Sequence, residues 1–230
     1  MKILQMIGSV AIATSIVTVA AIVSPMSAKA VSFTFDNIAG GDTVGDSLAQ
    51  YLSMDVTSSG SGVLFQFNNG AGNTATTSFI RTVFIDAAPA LLGGNSNITV
   101  NKDNVGTVLF TGGVDNQNLP QGNNLLPNFT TNYAFNRVQG GGNINAIQPA
   151  ESLGVLFANV DFNNVISAIN DGSLRVGYHL QGLPGGASDS YVNNPNTPTK
   201  PVPVPGLLLG VMAAGALGGK RLLKSKKQAV

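Results

Sequence analysis

The chain has no cysteine and no tryptophan, a single histidine, His179, and a single glutamate, Glu151. Without cysteine, no disulfide can staple the fold and no thiolate can ligate a metal. One histidine cannot provide the paired imidazoles of a zinc centre. It also leaves a Ser-His-Asp arrangement only one base, and no Gly-x-Ser-x-Gly elbow accompanies it. Charge is scarce as well, at 10% of residues, and it is unevenly placed. Between residues 31 and 199 the only basic residues are Arg81, Lys102, Arg137 and Arg175, against all eleven acids, a net charge of −7. The full chain is +1, so its slightly basic balance comes from the two ends. An acidic middle segment excludes nucleic acid as a partner and disfavours anionic lipid.

What the middle has in quantity is asparagine, glycine, valine, threonine and phenylalanine, with few helix formers. That composition predicts an all-β domain with Asn/Gly turns. The expected architecture is a β-sandwich, jelly-roll-like, with one short helix. Residues 31–35 alternate as a first strand, and 48–57 place Leu48, Leu52, Met54 and Val56 on one face. After the Ser/Gly turn at 58–62 comes a strand at 63–67, so the pair reads as a hairpin. Residues 76–86 are apolar on both sides, Phe79 and Val83 with Arg81 on one, Ile80 and Phe84 on the other, which suits a central strand. Short strands are expected at 98–100, 105–110 and 133–138, with a long loop at 112–128. Long loops in compact domains commonly bind ligands, so 87–150 is where a ligand surface is first expected. Residues 153–160 form a buried strand. Asn163 or Asn164 caps a helix through Ile169, stopped by Asp171-Gly172. Residues 173–180 place Leu174, Val176, Tyr178 and Leu180 on one face, and Tyr191-Val192 closes the domain. No fixed repeat period is present, which argues against a propeller or solenoid.

The two ends read as addresses. Met1-Lys2 is followed by an apolar stretch over 3–23 and then Ser24-Pro25-Met26-Ser27-Ala28-Lys29-Ala30. Small residues at Ala28 and Ala30 after a helix breaker form a signal-peptidase pattern, predicting cleavage after Ala30. At the other end Pro198, Pro201, Pro203 and Pro205 make an extended spacer. An uncharged run follows over 206–219, then Lys220, Arg221, Lys224, Lys226 and Lys227. With the basic residues snorkelling, the run serves as a C-terminal transmembrane helix whose terminus stays cytoplasmic. The expected division is signal peptide 1–30, all-β ectodomain 31–192, Pro-rich linker 193–205 and sorting helix with basic tail 206–230.

The order Pro203-Val204-Pro205, apolar helix, basic cluster resembles the PEP-CTERM sorting signal of Gram-negative bacteria and cyanobacteria, with Val204 where that motif usually carries Glu. The passages Arg175-Val-Gly-Tyr-His-Leu-Gln-Gly and Asp189-Ser-Tyr-Val-Asn-Asn are similar to the ends of cyanobacterial ectodomains of the same class. The resemblance implies two processing partners, signal peptidase and an exosortase acting near the Pro motif. It implies an inner-membrane-anchored intermediate, then a cell-surface or extracellular product, and specifies no activity for the ectodomain.

Candidate chemistry in the middle is sparse. Asp36, Asp42 and Asp46 share a Gly-rich loop, and Asp36 and Asp42 are the first candidates for a Ca²⁺ site, although turn formation explains the same residues. Paired acids for glycoside hydrolysis could come from Asp103, Asp115, Glu151 or Asp161. Tyr133, Tyr178 and Tyr191 could stack on sugars. Asn97-Ile-Thr99 and Asn128-Phe-Thr130 have the form of glycosylation sequons. The expectation is a structural or interaction module of the cell envelope or exopolysaccharide, with no catalytic residues and no cofactor. The alternatives are a polysaccharide hydrolase or lyase and a Ca²⁺-dependent adhesin.

Overall fold

A computed structural model describes residues 29–73 and 77–195. Residues 1–28, including Ala28, and the Pro motif, apolar run and basic tail beyond Pro195 lie outside the described residues. Among the described residues no helix is long and apolar enough to cross a membrane.

Among the described residues ten strands form one antiparallel sheet: β1 (Ala30–Asn37), β2 (Leu52–Ser59), β3 (Gly62–Asn69), β4 (Phe79–Ala87), β5 (Ile98–Val100), β6 (Phe110–Val114), β7 (Tyr133–Arg137), β8 (Glu151–Phe157), β9 (Leu174–Gln181) and β10 (Asp189–Asn193). Their order is β5-β8-β3-β2-β1-β10-β9-β4-β7-β6. The all-β expectation holds. Among the described residues the two halves of the sheet are not separate, because β1 belongs to both. Residues 30–34 pair with β2 and residues 35–37 pair with β10. The sheet therefore continues through β1 and wraps, barrel-like, around one core.

The two end strands meet through side chains. Asn101, just after β5, donates from Nδ2 to the Phe110 carbonyl and accepts the Phe110 N–H at Oδ1, both at 2.8 Å. Asn95 Oδ1 accepts the Val114 N–H at 2.7 Å at the other end of β6. An asparagine amide presents one donor and one acceptor, as a peptide group does. These amides thus occupy β6 backbone groups that an open edge would expose.

The core is aromatic. Phe35 stacks on Tyr178 with ring centroids 4.0 Å apart, Phe67 meets Tyr178 edge-on at 6.1 Å, and Phe65 meets Phe157 edge-on at 5.5 Å. The alternation over β9 is as expected, with Leu174, Val176, Tyr178 and Leu180 all buried. The helix α1 (Phe162–Asn170) buries Val165 and Ile169 against the same core. Its cap is Asp161, not Asn163 or Asn164. Asp161 is extended, and its carboxylate accepts the Asn164 N–H at 2.9 Å, which satisfies an orphan donor of the first turn.

A second, outer layer lies over β10, β9, β4 and β7. The segment 115–132 places Leu119 and Phe129 with Ile38, Phe84 and Ala134 on the face away from the main core. Leu119 seats on Gly177, where any Cβ would come within 2.6 Å of its Cδ2. Arg175 clamps the return of this segment. Its guanidinium binds the Asp86 carboxylate and donates to the carbonyls of Pro127 and Asn128, each at 2.6 Å.

Local departures from the expected elements have physical causes. In β4 a register shift between Ile80 and Thr82 makes Arg81 an extra residue. The bulge inverts the alternation, so Ile80 and Val83 both face the main core while Phe84 faces the outer layer. The stretch expected as strand from residue 48 begins as a 3₁₀ helix (Asp46–Tyr51). Of residues 105–110, Val105 makes only an isolated bridge to Ser152, and β6 runs into the expected 112–128 loop.

Candidate functional site

Asp36 and Asp42 fasten the two ends of β10. Asp36 Oδ2 accepts the Asn194 side-chain amide at 2.8 Å, and Asp42 Oδ2 accepts the Ser188 N–H at 3.0 Å. Among the described residues no three acidic or histidine side chains converge as metal ligands.

The buried acid of this region is Asp189, only 1% exposed. It accepts the Asn37 side-chain amide at 2.7 Å and the Ser190 N–H at 2.8 Å. Its carboxylate lies so close to Gly41 that any Cβ there would meet Oδ1 at 2.0 Å. Burial raises its pKa, the hydrogen bonds from Ser190 and Asn37 oppose the rise, and the nearby Asp46 and Asp42 add to it. The signal for Asp189 in the sequence was an acid two positions before Tyr191, on the face that strand alternation turns inward.

The acids considered for glycoside hydrolysis have separate structural partners. Asp103 pairs with Lys102 at 2.9 Å on the surface. Glu151 accepts the N–H groups of Thr107 and Gln148, at 2.9 and 3.0 Å. Asp161 caps α1, and Asp115 accepts the N–H groups of Asn116 and Gln117 at 2.7 and 3.1 Å. The three tyrosines are all fully buried and cannot stack on a sugar, which overturns that expectation. Each hydroxyl donates to an interior-facing carbonyl: Tyr133 to Gly93, Tyr178 to Ser53 and Tyr191 to Gly45, at 2.7, 2.8 and 2.7 Å.

His179 lies opposite Thr82 on one side and Ser190 on the other. Its Nε2 and the Ser190 Oγ are both enclosed and without a hydrogen-bond partner among the described residues. No hydrogen bond therefore joins them as base and nucleophile. Burial, reinforced by the Arg81 charge, lowers the His179 pKa from the usual 6.5 to about 4. The unfolded chain takes up this proton first, so the stabilising contribution is complete above about pH 6.5 and is lost as pH falls toward 4. Discounted for partial solvent screening, the loss is on the order of 2 kcal/mol. Urea unfolding of wild type and His179→Gln across this range is expected to give a difference curve that falls with acidification. A flat difference curve would remove His179 from the acid response.

A cleft of about 370 Å³ opens where β6 ends and β7 begins, within the 87–150 region expected to hold a ligand surface. Val114, Asp115 and Asn116 form one side, Thr131, Asn132 and Tyr133 another, and Pro89 a third. Its frame is tied at several points. The Asp115 N–H donates to the Asn132 carbonyl at 3.0 Å, the Asn132 N–H donates to the Ile85 carbonyl at 2.8 Å, and Asn132 Oδ1 accepts the Ala87 N–H at 3.0 Å. Thr131 Oγ1 is enclosed in the cleft wall without a partner among the described residues. Comparison with protein-family models, curated proteins and solved structures finds no match for this chain.

Proposed function

We propose that this is an exported envelope or matrix protein whose β domain is an interaction module, delivered by an N-terminal signal and a C-terminal sorting tail of the PEP-CTERM type. Signal peptidase and an exosortase are its processing partners, and exopolysaccharide is the matrix it joins. In this reading the two halves of the sheet, joined at β1, serve as the layers of a jelly-roll-like sandwich.

The observation that carries the reading is where the chain enters and leaves the domain. β1 and β10 are antiparallel neighbours, with Phe35 opposite Asn193. The start of β1 and the end of β10 therefore point to the same end of the barrel. Extended backbone advances about 3.3 Å per residue, so Lys29 and Pro195 leave roughly 13 Å apart along the strand direction. Segments before 29 and after 195 can reach one membrane without crossing the domain. Ala30 is the first ladder position of β1, opposite Thr57, so cleavage after it leaves the pairing from Val31 onward.

The test is the intact mass of the protein from culture medium and from membranes, with both termini mapped. The expected result is a soluble form that begins at Val31 and ends near Pro205, alongside a membrane-bound precursor. A membrane form retaining Lys220 and the residues after it as the sole product would make the tail a permanent anchor and overturn exosortase processing.

A further inference from the structure

The cleft between Pro89, Val114 and the 131–133 segment has a chemistry that selects among ligands. Its walls combine aliphatic surface, supplied by Pro89 and the half-exposed Val114, with amide groups from Asn116 and Asn132. Asn132 Oδ1 is already held by the Ala87 N–H, which fixes the amide and leaves Nδ2 as its unassigned donor. Asp115 is the one charged residue of the lining, and its two oxygens already accept three N–H groups of its own turn, at 2.7 to 3.1 Å. It is a fixed acceptor in a rigid frame, and rigid frames lower the ordering cost of binding. At about 370 Å³ the space falls at the small end of the roughly 300–1,000 Å³ typical of ligand sites.

We propose that this cleft binds one residue of a neutral saccharide. A sugar ring offers aliphatic C–H surface to Pro89 and Val114 and hydroxyls to Asp115, Asn116 and Asn132. Anionic sugars are disfavoured twice, by the Asp115 carboxylate in the lining and by the net charge of −7 over residues 31–199. Flat aromatic ligands find no exposed ring to stack on, since Tyr133 is fully buried and its hydroxyl is tied to Gly93. This assignment rests on the reading of the domain as an exported, glycan-facing module and names the ligand class that such a module would take.

Saturation-transfer NMR on the purified full chain, with millimolar glucose, galactose, mannose, rhamnose and N-acetylglucosamine and with glucuronate as the anionic comparison, tests the assignment. Transfer to at least one neutral sugar is expected, with no transfer to glucuronate. Val114→Glu removes the aliphatic wall and adds a charge at an exposed position, and Asn116→Ala removes an exposed amide. Each is expected to reduce transfer at least tenfold while leaving the circular-dichroism spectrum unchanged. Absence of transfer to every neutral sugar, equal transfer to glucuronate, or signals unaltered in the folded Val114→Glu protein would each overturn the site. None of these results bears on where the termini are cut, so the export reading stands or falls separately.

Discussion

Arg175→Met is expected to lower folding stability by about 3–5 kcal/mol, the range for removing one partner of a buried ion pair. The side chains of Arg175 and Asp86 are only 14% and 17% exposed. In the variant Asp86 keeps the Thr130 N–H, at 3.1 Å, and loses its counter-charge. The carbonyls of Pro127 and Asn128 lose their shared donor, and Phe129 loses a guanidinium 5.3 Å from its ring centroid. Methionine retains much of the packing volume, so the loss reports charge and hydrogen bonding more than cavity formation. These groups all hold the return of segment 115–132 against the outer face of β9 and β4. Hydrogen exchange should therefore accelerate first between residues 117 and 130, before the core strands respond.

A cycle with Asp86→Asn separates the pair from the rest. If the charges act as a unit, the double variant is less damaged than the sum of the single changes, with a coupling of about 1–3 kcal/mol. A loss in Arg175→Met below about 1 kcal/mol, typical of exposed pairs, would mean that the clamp contributes as a surface contact only. The cleft shares its frame with this segment through Asp115 and Asn132. Damage at Arg175 is therefore also expected to weaken any ligand bound there.

The β class of the domain was legible because turn residues and alternation act locally. In β9 every second residue faces the main core, as its pattern required. In β4 the same logic placed Ile80 with Phe84, and the Arg81 bulge separated them. A single inserted backbone position reverses the parity of everything after it, and side-chain identity does not announce it. Leu48 fits the same apolar alternation as Leu52, yet it is buried from the 3₁₀ helix that precedes β2, while Leu52 is the first residue of the strand. The tyrosines were read by their amphipathic character. Their hydroxyls are satisfied by carbonyls 40, 125 and 146 residues distant in sequence, contacts that no local pattern encodes. Joining the sheet through β1 depends likewise on a strand changing partners midway. A ligand surface over 87–150 is an expectation from loop length alone, whereas the cleft in that region arises from Pro89 meeting residues 114–116 and 131–133 in space.

Asn101→Ala should cost about 3–4 kcal/mol, although it deletes only one small polar group. Asn101 bonds both backbone groups of Phe110, which is 2% exposed, so the variant leaves an N–H and a carbonyl in a confined place without partners. Net hydrogen bonds contribute about 0.5–1.5 kcal/mol, and unpaired buried groups cost about 1–3 kcal/mol each. Asn101 Oδ1 also accepts the Asn104 side chain at 3.2 Å, and Asn104 in turn donates to the Val108 carbonyl and accepts the Gly154 N–H. Backbone conformation adds a further term, because Asn101 has φ of +64°, where alanine costs about 1–2 kcal/mol and asparagine is tolerated. Asn101→Gly relieves that strain without restoring the amide, and Asn101→Asp keeps the acceptor for the Phe110 N–H while losing the donor. The expected order of stability by urea unfolding is wild type, then Asp and Gly, then Ala. Opening this junction also exposes the β5 and β6 edges, so light scattering during refolding should rise in the same order as stability falls. If Asn101→Ala matches wild type in both measurements, ordinary core packing holds the two edge strands together and the amide is incidental to closure.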